Sequence, residues 1–411
     1  MKKTIFSKPG HRSRSIIIGL VTTLILLSAI TILAIASTPL DIAGYLDFSY
    51  GTTISTDATG EKPESKLWWN DGIWWGILYN NTAGEYHIYR LDWGNQVWED
   101  TGVIVDEREQ ARADVLWEGT TNKLYVASHY MVTNSARSTN PLHWGRLYRY
   151  TYNPATESYA LDVGFPVYVN RDKTEALVLD KDSNGRLWVT YVSRDPNIDP
   201  LDYQVYANAT TNPGDDTSWG TPFSLGSLFP EAHVLVDDIS SQIALQNQLG
   251  VMWSNNSTFQ FYFATHDDGQ APQNGWALET VDTTPYTVLA EDHINLAKDS
   301  AGNVFAAIKT GTTVPGEPLI GLITRDSAGV YSFHVFSNYE PNYETRPIVV
   351  VKEDENKVYL FASSATSGSR ICYKTADITV PPSSMSFSPE NCKNASAKYA
   401  PSDCGRQRRR K

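Results

Sequence analysis

The sequence predicts an all-β fold, a six-bladed β-propeller with four-stranded antiparallel blades, preceded by an N-terminal signal or anchor helix. Three observations predict it. Aromatic residues make up 12% of the 411 residues, with 12 Trp and 23 Tyr, and flat rings suit the pleated, half-buried surface of strands. A unit of apolar strand, polar turn and apolar strand occurs six times, at about the 45–60-residue spacing of propeller blades. No 3.6-residue helical period competes with it outside the N-terminus.

The six units, in chain order, are "KLWWNDGIWWGILYN" from Lys66, "DVLWEGTTNKLYVAS" from Asp114, "ALVLDKDSNGRLWVTYVS" from Ala176, "IALQNQLGVMWSN" from Ile243, "INLAKDSAGNVFAAIK" from Ile294 and "IVVVKEDENKVYLFAS" from Ile348. Each reads as a hairpin: two alternating strands around Gly, Asn or Asp. A weaker pair of strands follows each one, from "EYHIYRLDWGNQVWEDTGV" after the first to "RICYKTADITV" after the last. The inner strands are expected to start near Lys66, Ala113, Glu175, Asp238, His293 and Pro347. The propeller should span 45–380, between an N-terminal segment at 1–36 and a poorly ordered tail at 381–411. In the first hairpin, Trp68, Trp69, Trp74 and Trp75 alternate between the two faces of the sheet. They read as blade-packing residues, with one or two free to line a sugar platform.

The ends have their own chemistry. Lys2, Lys3, Lys8, Arg12 and Arg14 precede the uncharged apolar run Ile16 to Ala36. Basic residues before such a run mark an export signal or a signal anchor. The run is long enough to span a bilayer, whereas Ala34-Ile35-Ala36 is a cleavage pattern. Either reading places the propeller outside the cytoplasm, with the membrane contacted only through this segment. Five Lys/Arg lie in the first 36 residues and five in the last six, with no acidic residue in either. What lies between carries 24 Lys and Arg against 46 Asp and Glu, a net of −22. That surface repels nucleic acid and anionic membranes, so neither is expected as a partner; a monomer is expected. The three cysteines, Cys372, Cys392 and Cys404, are too few for a disulfide framework. A Cys392–Cys404 bridge and free thiols are both open.

Two stretches, "NPGDDTSW" (Asn212 to Trp219) and "HDDGQAPQNGW" (His266 to Trp276), look like degenerate Asp boxes. With the strand pairs around them they resemble the sialidase-like propellers, the superfamily of BNR or Asp-box repeats. The resemblance covers about 45–380 and implies the fold and a glycan-directed activity. Sialidases use an arginine triad for the substrate carboxylate, a Tyr–Glu nucleophile and an Asp acid/base, and carry an early F/Y-R-I-P motif. That motif has no counterpart here; "TRPI" at Thr345 has another order and lies in the last blade.

In a propeller, the starts of the inner strands gather near the axis, so charged residues there are the candidate site. They are Lys66 in blade one; Arg112 and Asp114 in blade two; Glu175 in blade three; Asp238 in blade four; Asp292 and His293 in blade five; and Tyr343 and Arg346 in blade six. Glu175, Asp292, His293 and Asp114 are the catalytic candidates, because hydrolysis needs one protonated acid and one ionised carboxylate. Lys66, Arg112, Arg346, Asp238 and Tyr343 are the substrate-binding candidates; arginine forks suit an anionic group on a glycan. A channel lined only by structural ion pairs is the competing reading. "DKDSNG" at Asp180 begins like a calcium loop, but its twelfth position is Tyr191 and it aligns with hairpin turns. No zinc spacing, phosphate loop or serine elbow is present, so no metal or cofactor is expected. A glycoside hydrolase of sialidase-like type leads. A non-catalytic glycan- or protein-binding propeller and a polysaccharide lyase are the alternatives.

Overall fold

The computed structural model describes residue 48 and residues 62–340, 343–364 and 370–394. The expected signal or anchor at 1–36 and the basic end of the tail lie outside the described residues. Within them the chain forms, in chain order, the six four-position antiparallel sheets of a six-bladed propeller, two of them with a fifth short strand sharing the outer position, together with a two-stranded ribbon of Ala136–Arg137 and Asp172–Lys173, and no α-helix. The inner strands are Leu67–Asn70, Ala111–Glu118, Val178–Lys181, Ser240–Ala244, Ala290–Lys298 and Glu344–Lys352. Each begins within three residues of its expected start.

The first hairpin shows how local chemistry sets register. Asp71 (φ 54°) and Gly72 (φ 77°) are both left-handed, as a two-residue hairpin turn matching strand twist requires. Trp68 therefore pairs with Trp75 and Trp69 with Trp74. Trp68 and Trp75 are buried against blade two, where Trp68 Nε1 donates to the Tyr159 hydroxyl (2.8 Å). Trp69 and Trp74 stand on the opposite face and are 52% and 38% exposed. So only one member of each adjacent pair packs between blades.

Five apolar clusters fill the spaces between blades one and two, two and three, three and four, four and five, and five and six. No sixth cluster joins blade six to blade one among the described residues. Nearer the axis, polar side chains tie successive inner strands. Asp114 Oδ2 accepts the Leu179 N–H (2.9 Å), Asp180 Oδ2 the Ala244 N–H (2.6 Å), and Asn295 Oδ1 the Val349 N–H (3.0 Å). The Asp180–Gly185 stretch is the hairpin turn of blade three: Asp182 N–H donates to Arg186 O and Gly185 N–H to Asp182 O. Both Asp-box-like stretches connect the third strand to the outer one, in blades three and four. Their tryptophans tie back to their own turns, Trp219 Nε1 to Asp216 O and Trp276 Nε1 to Pro272 O.

Blade six corrects one expectation and settles a pairing the sequence left open. It does not end at 380: Asn391–Asn394 is its outer strand, paired with Arg370–Asp377. The disulfide is Cys372–Cys392, across that pairing, and not Cys392–Cys404. A disulfide closing a 20-residue separation is worth about 3 kcal/mol through the unfolded chain. Cys392→Ser should lower unfolding free energy by about that amount and Cys404→Ser should not, as read by denaturant titration. A second test concerns Glu344, buried beside Ser337 and Glu390. Burial pushes its carboxyl up to about 7; Ser337 lowers it and the Glu390 charge raises it. A raised carboxyl stabilises the fold fully below its ordinary value near 4.3, and that stability is lost as pH rises through about 7. Thermal melts should give a lower Tm at pH 8 than at pH 6, with a smaller difference in Glu344→Gln.

Candidate functional site

The site is organised by five residues before the first strand, Lys62 to Lys66. Glu64 Oε1 accepts from His129 Nε2 (2.6 Å) in blade two and from the Leu177 N–H (3.1 Å) entering blade three. Both side chains are fully buried. Burial pushes the Glu64 carboxyl up, but His129, the Leu177 bond and Lys66 together hold it below its ordinary value. Ser65 donates its N–H to Asp114 Oδ1 (2.8 Å), and its carbonyl accepts the Val115 N–H (3.0 Å). These bonds fix where the chain places Lys62.

The Lys62 ammonium donates to Glu175 Oε1 (3.0 Å), from blade three, and to Asp292 Oδ2, from blade five. Two oxygens bound to one ammonium lie within two hydrogen-bond lengths, about 6 Å. Asp292 Oδ1 contacts His293 Nδ1 (2.8 Å), which also reaches Glu291 Oε2 (2.7 Å). An imidazole nitrogen facing two carboxylates must carry the proton. Glu291 Oε1 in turn pairs with Lys309, and His293 Nε2 approaches Thr345 Oγ1 (3.4 Å) of blade six. Burial pushes the Asp292 carboxyl up, but the His293 hydrogen bond and the charges of Lys62 and His293 overcome it, holding Asp292 well below the usual carboxylate range. Asp292 is thus ionised at any ordinary pH.

Of the nine candidates, Glu175, Asp292 and His293 come together. The others do not join them. Asp114, expected as catalytic, spends both oxygens on backbone N–H groups of Ser65 and Leu179. Burial raises its pKa well above the ordinary value, with those two bonds opposing. Asp238 is likewise consumed: it accepts the N–H of Leu235 (2.7 Å) and of Asn256 (3.0 Å), and the Ser254 hydroxyl (2.8 Å). Arg112 is 1% exposed, and its Nη1 donates to the Tyr86 hydroxyl and the Ala111 carbonyl. Lys66 is buried, with its ammonium 5.0 Å from the centre of the Tyr86 ring. The Tyr343 hydroxyl donates to Glu340 (2.6 Å) and its ring packs edge-on against Tyr339. Arg346 is exposed, with a left-handed φ of 54°, and makes no ion pair among the described residues.

Sequence reasoning missed Lys62, Glu64, His129 and Glu291. The signal for the first two is the charged "EKPES" immediately before the first strand. Its meaning depends on contacts over more than 100 residues, such as Lys62 to Glu175.

No protein-family profile matches the sequence, and no curated protein sequence matches it. Solved structures do resemble the chain. The Penicillium chrysogenum alpha-L-arabinanase complexed with arabinobiose is 13% identical, with a TM-score of 0.49, over 83% of this chain and 99% of that one. A polysaccharide lyase of family PL25, an ulvan lyase, is 10% identical at 0.46, over 86% and 87%. The Fusarium graminearum alpha-L-arabinofuranosidase is 10% identical at 0.44, over 82% and 98%. At this level of likeness they carry no argument about chemistry.

The clip assignment of Asp114 is testable. A charged hydrogen bond contributes about 1.5–3 kcal/mol, and stranding two buried N–H groups adds to the loss. Asp114→Ala should therefore lower unfolding free energy by more than about 3 kcal/mol. Glu175→Gln, which keeps a hydrogen-bonding group of the same shape, should cost much less. Denaturant unfolding of the two variants side by side checks this.

Proposed function

We propose that the protein acts on a glycan as a glycoside hydrolase, with Glu175 and Asp292 as the catalytic pair. The observation that carries the reading is the single ammonium reaching both carboxylates. It keeps the two facing oxygens within about 6 Å of each other, which suits the closely spaced pair of a retaining enzyme better than the wider gap an inverting one leaves for water. Asp292, held ionised, suits the nucleophile or charge-stabilising role. Glu175, on the facing side, is then the acid that protonates the leaving oxygen and later activates water. His293 orients Asp292 through the Nδ1 bond. Arg346 does not join the pair, but it is exposed and follows Thr345, which His293 approaches, so it is the group offered to an acidic substituent of the glycan lying outside the pair, which keeps the sialidase-like preference for an anionic substrate within this proposal. A lyase is less favoured, because the Tyr343 hydroxyl that would move the proton is engaged by Glu340. The N-terminal run and the Cys372–Cys392 bridge, which persists in oxidising compartments, support an extracytoplasmic location.

One observation favours the non-catalytic alternative: Lys62 neutralises both carboxylates. Hydrolysis of a panel of aryl glycosides and polysaccharides decides between them. A hydrolase should lose about 10³-fold or more in kcat/KM in Glu175→Gln and Asp292→Asn, a barrier increase of roughly 4 kcal/mol, with the melting temperature of Glu175→Gln little changed. No turnover by the wild-type protein on the whole panel, or full activity in both variants, sinks the hydrolase reading.

A further inference from the structure

We infer that the Glu175–Asp292 pair is a subsite for a protonated amine, and that Lys62 is its resident, displaceable occupant. The inference deepens the proposed function, resting on the same pair as a ligand site. Two carboxylates this close repel each other unless a proton or a cation lies between them. The cation here is supplied from a distant part of the chain: Lys62 precedes blade one, whereas its partners belong to blades three and five. The Lys62 and Glu175 side chains are nine-tenths or more buried, so the ammonium occupies a built site and is not a surface pair.

Whatever replaces that ammonium must satisfy the same charge. An acidic group would meet Glu175, Asp292 and Glu291 together. A neutral sugar would require one of the two carboxyls, Glu175 in the proposed mechanism, to take up a proton in the ammonium's place. A protonated ring nitrogen or amino group fits, as does the positive charge that develops on a sugar ring during glycoside cleavage. The exchange needs little backbone movement. Glu64 is held by His129 and Leu177, and Ser65 by Asp114 and Val115. The Lys62 side chain has an unbranched stem with several rotatable bonds, so rotation about them can withdraw the ammonium while the anchored residues stay in place. As a group tethered next to its own site, Lys62 competes at high effective concentration and weakens any amine ligand in the resting protein.

Calorimetric titration with a six-membered iminosugar, protonated at neutral pH, and with its neutral lactam tests this without requiring turnover. Removing the competitor in Lys62→Met should tighten iminosugar binding by about tenfold or more. Lys62→Arg, which keeps the cation, should stay within about twofold of wild type. The lactam should change in neither. Lys62→Gln carries the same expectation as Lys62→Met should the latter fail to fold. Iminosugar binding that is absent, unchanged or weaker in the neutral variants overturns the inference, as does an equal gain for the lactam. Loss of folding in both neutral variants also overturns it, because the ammonium is then a permanent part of the axis. Tightened binding together with no glycoside hydrolysis would leave the subsite standing and remove only the catalytic reading.

Discussion

The constraint on which the rest of the structure depends is the need to satisfy backbone N–H groups where inner strands converge. Near the axis, successive inner strands approach without pairing with one another, so their outward-turned N–H groups have no ladder partner. A buried N–H without an acceptor costs as much as a lost hydrogen bond. The chain answers with a side-chain acceptor on the preceding blade: Asp114 for Leu179, Asp180 for Ala244, Asn295 for Val349. Asp114 also takes the Ser65 N–H of the segment entering blade one, with its other oxygen. The same side chain therefore joins blade two to blade three and fixes the segment that delivers Lys62. Apolar packing between blades sets their spacing, and the clips set their relative height.

This explains why an axis full of charge yields a small site. Carboxylates there serve two purposes that look alike in one dimension. Asp114 and Asp238 are engaged by backbone, whereas Glu175 and Asp292 meet an ammonium from elsewhere. Position along a strand does not separate the two uses, because a residue's partner is set by the adjoining blade.

Much of the fold was legible because its signals are local. Alternation, the Asn-Asp-Gly turn after Trp69, and the regular spacing of hairpins follow from neighbours within about ten residues, and the structure places every inner strand close to its expected start. The outer strand of blade six was not legible. Asn391–Asn394 is short and polar and pairs only because Arg370–Asp377 lies beside it, so the Cys372–Cys392 pairing was hidden with it. The faces of Trp69 and Trp74 were hidden for another reason: alternation assigns them to one side of the sheet but does not say whether that side is covered. Lys62 is the furthest from sequence reasoning, since both its carboxylates lie more than a hundred residues away.

Every blade takes its strands from one continuous stretch of chain; among the described residues none borrows a strand from the opposite end of the sequence. For a ribosome this is a favourable arrangement. Each sheet can zip up as soon as its own residues emerge, with mostly short-range pairings and little loop-closure entropy to overcome. The axial clips then form pairwise, each new blade docking on the one before. The Lys62 contacts obey a different clock. The ammonium is synthesised early, its Glu175 partner follows with the third blade, and Asp292 arrives only with the fifth. The axis is assembled late, once most of the wall around it exists, and a chain interrupted before blade five would carry stable sheets and no site.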